Sequence, residues 1–297
     1  MDAFRKFILA SLILSISSVA IAQTDEKEAL KVTALEALIS APPERALPIV
    51  TKVLRGDSSA DLKERALFVL SQIDLPEAQT LLVETAQTGN EDIRLEAIRM
   101  IGIGGDRKAL DALGAIYAAG DGDTKEAVLE AYLIADDNDA VYQIAANTQD
   151  PDEFEDAVSM LGAMGATEEL RTLRDRPDMG EVLIDAYAVA GDVESLTALA
   201  TDSSNPERQA QALHGLGIAG GDEVGDVLVD VYRNTDMPKV KDAALEGLMI
   251  AGLDQAVLEL FNESKDAAEK RELMETLVMM DSDAVWDLID TTLENGQ

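Results

Sequence analysis

The sequence predicts an all-α superhelix of about eight helix-hairpin units. Three observations carry this: a repeat of about thirty residues, apolar helical faces alternating with glycine-rich turns, and a composition rich in alanine and leucine but poor in aromatics. The repeat is plainest in two stretches, "EAYLIADDNDAVYQI" from Glu130 and "DAYAVAGDVESLTAL" from Asp185. Related stretches begin at Lys63, Arg94, Thr124, Phe154, Glu181, Ala210, Lys241 and, more loosely, Lys270. Aligned on Ala66, Ala97, Ala127, Ala157, Val182, Gln211, Ala243 and Glu272, successive units lie 31, 30, 30, 25, 29, 32 and 29 residues apart. A step this constant marks a solenoid, in which each unit buries its apolar face on its neighbours.

Within a unit the first helix places Ala66, Leu67, Leu70 and Ile73 on one face. Turns such as Gly104-Gly105-Asp106, Gly191-Asp192 and Gly220-Gly221-Asp222 then end it. Glycine supplies the left-handed residue that closes a helix, and aspartate caps the next one. The following unit starts at Asp150-Pro151 or Asn205-Pro206, a capping side chain before a proline at the first helical position. Pro151, Pro177, Pro206 and Pro238 keep step with the repeat, so they punctuate units rather than interrupt them. Interior glycine costs about 1 kcal/mol relative to alanine, so Gly102, Gly162, Gly215 and Gly247 are expected at close helix contacts. The 25-residue step, around "RTLRDRPDMGEV", leaves room for only a short second helix.

The first residues read differently. Arg5 and Lys6 precede an apolar run from Phe7 to about Ile16, and Ala20 and Ala22 frame a cleavage site before Gln23. The expected organisation is a signal peptide over residues 1–22, N-terminal capping helices over 23–60 and the repeat solenoid over 61–297. The protein is therefore expected in the periplasm or outside the cell.

Composition narrows the chemistry. The formal net charge is −34, which disfavours phosphate backbones and anionic lipid heads and favours basic proteins or cations. With no cysteine and a single histidine, thiolate catalysis, a zinc site and a histidine-based triad are excluded. The glycines of "GIGGD" end a helix rather than follow a strand, so they do not form a nucleotide loop. No catalytic residue, cofactor or metal site is expected. His214 falls at the position Glu246 holds in the next unit and reads as a polar helical residue.

Carboxylates are the abundant resource: from Glu126 to Leu170 there are twelve acids and no lysine or arginine. Asp136, Asp137 and Asp139, with Asp106, Asp192 and Asp222, are expected to form an acidic ridge at the turns within units. Asp152, Glu153, Glu155 and Asp156 would form a second cluster on the opposite edge. Tyr117 and Tyr232, near the ends of second helices, are candidate exposed anchors for a partner. Tyr132 and Tyr187, at equivalent positions, read as core, and Trp286 as a seal on the last interface.

These units resemble the HEAT-repeat family, in particular short bacterial HEAT-like units. Arg94 to Leu113 is the clearest copy and Asp242 to Leu260 another, and the resemblance covers about residues 60 to 295. It implies an α-α superhelix of the kind used as scaffolds and protein-binding surfaces, while a minority related to phycobilin lyases handle a chromophore. The expected function is an exported, non-catalytic scaffold that binds a protein partner, basic or envelope-associated, through its acidic surface. The alternatives are a lyase-like handler of a small ligand and a calcium-dependent structural module.

Overall fold

The computed structural model describes residues 27–176, 180–221, 223–281, 285, 286, 288–290 and 293; the signal segment, Pro177 and Asp222 lie outside them. Among the described residues the regular elements are helices, and they fall into two compact units divided between Asp137 and Asn138.

The first unit begins with a helix over 27–36, here α1, which runs into a 3-10 turn, Ala37–Ser40. Six helices follow: α2 (Pro43–Arg55), α3 (Ala60–Ser71), α4 (Pro76–Thr88), α5 (Glu91–Gly104), α6 (Arg107–Ala119) and α7 (Gly122–Ala135). Helices α3, α5 and α7 pack side by side as one layer, and α4 and α6 pack together as the other.

The second unit repeats the plan. It runs α8 (Asn138–Asn147), α9 (Pro151–Ala163), α10 (Thr167–Thr172), α11 (Gly180–Ala190), α12 (Val193–Ala200), α13 (Pro206–Ala219), α14 (Glu223–Asn234), α15 (Pro238–Ile250), α16 (Asp254–Glu263) and α17 (Ala267–Met279). Helices α9, α11, α13 and α15 form the first layer, and α12, α14 and α16 pack in sequence in the second.

Short polar side chains start these helices as the sequence predicts. Asn90, Asp106, Asp121, Asp150, Asp192, Asn205 and Asp266 each accept a hydrogen bond from an amide in the first turn of the helix that follows. At the other end, Gly105 closes α5 in the left-handed conformation at φ 64°, and Asp136 does the same for α7 at φ 55°. Aspartate can stand there because its short side chain tolerates the left-handed region better than most.

Burial corrects the register of the repeat. Ala66, Ala97 and Ala157 are fully buried, but in the other units the equivalent buried residues are Val128, Leu183, Ala212, Ala244 and Leu273. Ala127, Val182 and Gln211 are only half-buried and Glu272 is exposed. The true steps are 31, 31, 29, 26, 29, 32 and 29, one residue from the expected alignment at five positions.

The glycines sit where first helices touch. A Cβ on Gly102 would lie 2.6 Å from the Ala131 carbonyl oxygen, and one on Gly247 would lie 2.7 Å from that of Leu213. Gly162 meets Ala186 in the same way, and Gly215 faces Leu196 and Ala188. The short unit is also as expected: α10 has six residues. Beyond it Arg176 donates to the Thr148 carbonyl at 2.8 Å and to that of Ala145, and stacks 4.4 Å from the Phe154 ring. One arginine thus ties the truncated segment to the end of α8.

Candidate functional site

The corrected register brings a column of carboxylates into view. Asp61, Asp92 and Asp123 are each the second residue of a first helix, α3, α5 and α7, and each lies five positions before the buried residue of its unit. Carboxylates in a first turn are favoured by the positive end of the helix dipole, which is why the repeat can keep them there. Side by side, these helices also present Glu64, Glu96, Glu126 and Glu130. A groove of about 550 Å³ runs between them, continuing into a second that Asp61, Arg65, Phe68 and Met100 line. The two arginines on this face are already engaged: Arg99 with Glu96 at 3.2 Å and Arg65 with Glu36 at 3.5 Å. The face is therefore an excess of negative charge that its own cations do not balance.

Elsewhere charges are matched one unit apart. Arg55 meets Glu84 at 2.9 Å, Arg94 meets Asp121 at 3.3 Å and Arg107 meets Asp137 at 3.0 Å. In the second unit Arg233 meets Glu263 at 2.7 Å, Lys239 meets Glu207 at 2.8 Å and Lys241 meets Glu269 at 2.6 Å. His214 Nδ1 lies 3.5 Å from Glu246, its equivalent in the next repeat. These pairs fasten neighbouring repeats rather than form a reactive cluster.

The expected ridge at the turns is not assembled. Asp136 is exposed, but Asp137 beside it is nearly buried and bound to Arg107. Asp106 is turned onto the amides of Lys108 and Ala109. Asp192 is buried against Arg171, whose guanidinium bonds it from both Nε and Nη2. Asp139 is exposed in the first turn of α8. On α9, Asp152, Glu155 and Asp156 are exposed, and Glu153 is half-buried, accepting the Thr148 hydroxyl at 2.8 Å.

Tyr117 and Tyr232 are not exposed anchors. They are 6% and 3% accessible, because the second-helix position they occupy faces inward. Lys125 and Lys241 lie over their rings, 5.6 and 4.6 Å from the centroids. Trp286, expected to seal an interface, is 54% exposed while Val285 beside it is buried.

Tyr132 and Tyr187 are core residues, and the structure explains why the two stretches read alike. Tyr132 donates its hydroxyl to the Leu110 carbonyl at 3.4 Å, and Tyr187 to that of Leu170 at 3.3 Å. Leu110 and Leu170 are each the fourth residue of the preceding second helix. Burial pushes the Tyr132 hydroxyl up to about 12 and raises that of Tyr187.

Among the described residues no three carboxylate or histidine side chains converge as metal ligands would, and no helix is long and apolar enough to cross a membrane. The aspartate column was visible in principle as a repeat of Asp at 31 residues. Aligning on Ala127 instead of Val128 set Gly122 opposite Asp61 and Asp92 and hid it.

Residues 47–133 match a family model described as HEAT repeats. No curated protein matches the chain in sequence. Among solved structures, the chain is similar to the complex of CpcE and CpcF of phycocyanin lyase from Nostoc sp. PCC7120. That likeness has 18% identity and a TM-score of 0.35, and covers 81% of this chain and 95% of that one. Human deoxyhypusine hydroxylase in complex with glycerol is similar at 16% identity over 77% of this chain and 98% of that one, with a TM-score of 0.33.

Proposed function

We propose that this chain, whose residues 47–133 match a model of HEAT repeats, serves as an exported, non-catalytic scaffold that holds a basic segment of a protein partner against the acidic face of α3, α5 and α7. The observation that carries this reading is the column of Asp61, Asp92 and Asp123, one per repeat on adjacent helices, joined by Glu64, Glu96, Glu126 and Glu130. Such a surface has the form of an extended electrostatic binding site, in which each repeat adds one carboxylate to a run of partner cations. The chain's net charge of −34 steers the same class of partner toward it from a distance.

The test uses the chain from Gln23 onward and a fluorescein-labelled lysine- and arginine-rich peptide, followed by anisotropy at low and moderate salt. Replacing Asp61, Asp92 and Asp123 together with asparagine is expected to weaken binding about tenfold, each neutralised contact being worth a fraction of a charge pair. Replacing Asp139→Asn, Glu155→Gln and Asp156→Asn changes the net charge equally and serves as the control. Equal losses in both triples would leave only bulk charge and overturn the site. Export is tested separately: the protein recovered from the cell envelope should begin at Gln23.

A further inference from the structure

The register that aligns the aspartates aligns a second set of side chains. Six positions after the buried Leu183, Ala212, Ala244 and Leu273 stand Val189, Ile218, Ile250 and Met279. They are 64%, 51%, 40% and 68% exposed. A single exposed aliphatic residue needs no explanation. Here the same position is left in water on four successive first helices, α11, α13, α15 and α17. Helices α11, α13 and α15 pack side by side, and packed helices lie about 8–10 Å apart, so Val189, Ile218 and Ile250 form a row with that spacing, while α17, which carries Met279, packs on α16. The first unit holds two more at the same position, Ile103 and Ile134.

Each of the four residues lies at the C-terminal end of its helix, and one turn earlier on the same helix stand Asp185, His214, Glu246 and Glu275. The three acids are exposed, and His214 is 3.5 Å from Glu246. The surface is thus a line of apolar tips with a line of negative charge beside it. That pairing selects among occupants. An anionic lipid surface is repelled by the acids, and a second copy laid on the same row would bring acid against acid. A basic amphipathic segment satisfies both lines, and an α-helix with apolar residues seven apart repeats every ~10.5 Å, close to the spacing of the row.

We propose that Val189, Ile218 and Ile250 form a docking row for an amphipathic segment of a partner, with its aliphatic side chains on the row and its lysines or arginines on Asp185 and Glu246. The proposal rests on the reading that the partner is basic, and adds to it an apolar contact that fixes register.

Two labelled probes of identical composition separate the two ideas: a 21-residue leucine–lysine peptide with leucine in a heptad pattern, and its scrambled form. The protein is the chain from Gln23, with I218S/I250S as the variant and circular dichroism as the check that it folds. The patterned peptide should bind the parent at least tenfold tighter than the scrambled one, and I218S/I250S should remove that advantage while leaving the scrambled peptide's affinity as it was. If the serine variant binds the patterned peptide as well as the parent does, the docking row is overturned while the acidic scaffold stands. If neither peptide binds, both fall. If the parent forms a dimer that the serine substitutions dissolve, the row is a contact between copies and this assignment is wrong.

Discussion

Arg171 reaches inward to Asp192, whose side chain is fully inaccessible and accepts Nε of the arginine at 2.8 Å. Asp192 also caps α12 through the amide and hydroxyl of Ser195. Burial pushes its carboxyl up, but the bonds from Arg171 and Ser195 together outweigh burial and hold it below the ordinary aspartate value. A depressed carboxylate contributes stability that is present above its unfolded pKa and is lost as pH falls through the folded value. Removing Arg171 leaves the inaccessible Asp192 carboxylate without its partner, so Arg171→Met should destabilise the protein at neutral pH. Denaturant unfolding of parent and variant between pH 7 and pH 2 should show that gap narrowing below about pH 4. A constant gap would mean that Arg171 acts through packing alone.

Tyrosine titration gives an independent reading of the core. Of the five tyrosines, Tyr132, Tyr187 and Tyr232 have hydroxyls raised by burial, Tyr132 to about 12. Each ionises more readily once unfolded, so the protein should lose stability as pH rises from about 10 toward the folded values. Phenolate absorbance at pH 11 should therefore rise further on adding denaturant. Tyr132→Phe, which gives up only the long bond to Leu110, should cost about 0.5–1 kcal/mol.

What could be read in the letters was whatever local spacing decides. The hairpin grammar, the caps, the six-residue α10 and the core role of Tyr132 and Tyr187 all follow from residues a turn or two apart. The face of each helix was harder to fix, because alanine is tolerated both in the core and at its margin. Ala127 and Val128 were both plausible partners for Ala97, and only packing chooses Val128. Asp136 and Asp137 show the same limit. They are adjacent acids with opposite environments, because Arg107, thirty residues earlier, reaches only Asp137. Tyr117 and Tyr232 looked like anchors for want of knowing which way a second helix turns.

Glycine substitutions separate close contact from chain flexibility. Gly102→Ala places a methyl group against the Ala131 backbone, which cannot move without shifting α7. Overpacking of this kind costs about 1–3 kcal/mol. Gly122, the first residue of α7, meets nothing within 4 Å and has no left-handed strain. There alanine mainly restricts the unfolded chain and should add about 0.4–1 kcal/mol. Thermal unfolding of the two variants should move in opposite directions, and a stabilised Gly102→Ala would show that α5 and α7 have slack.

Salt should stabilise this protein, although many of its ion pairs would lead to the opposite guess. The pairs between repeats, such as Arg55 with Glu84 and Lys239 with Glu207, are exposed, and water and salt screen such pairs so that each contributes little. Against them stand 58 acids facing 24 lysines and arginines, so most carboxylates, Asp61, Asp92 and Asp123 among them, meet like charge at longer range. Raising salt from about 0.01 to 0.15 M shortens the screening length from about 30 to 8 Å, which removes that repulsion first and leaves contacts at 3 Å largely intact. The melting temperature should therefore rise over this interval, and rise less in the Asp61, Asp92 and Asp123 triple asparagine variant, where part of the repulsion is already gone. A fall with added salt would mean that the ladder of pairs between repeats, rather than packing, holds the stack against its own charge.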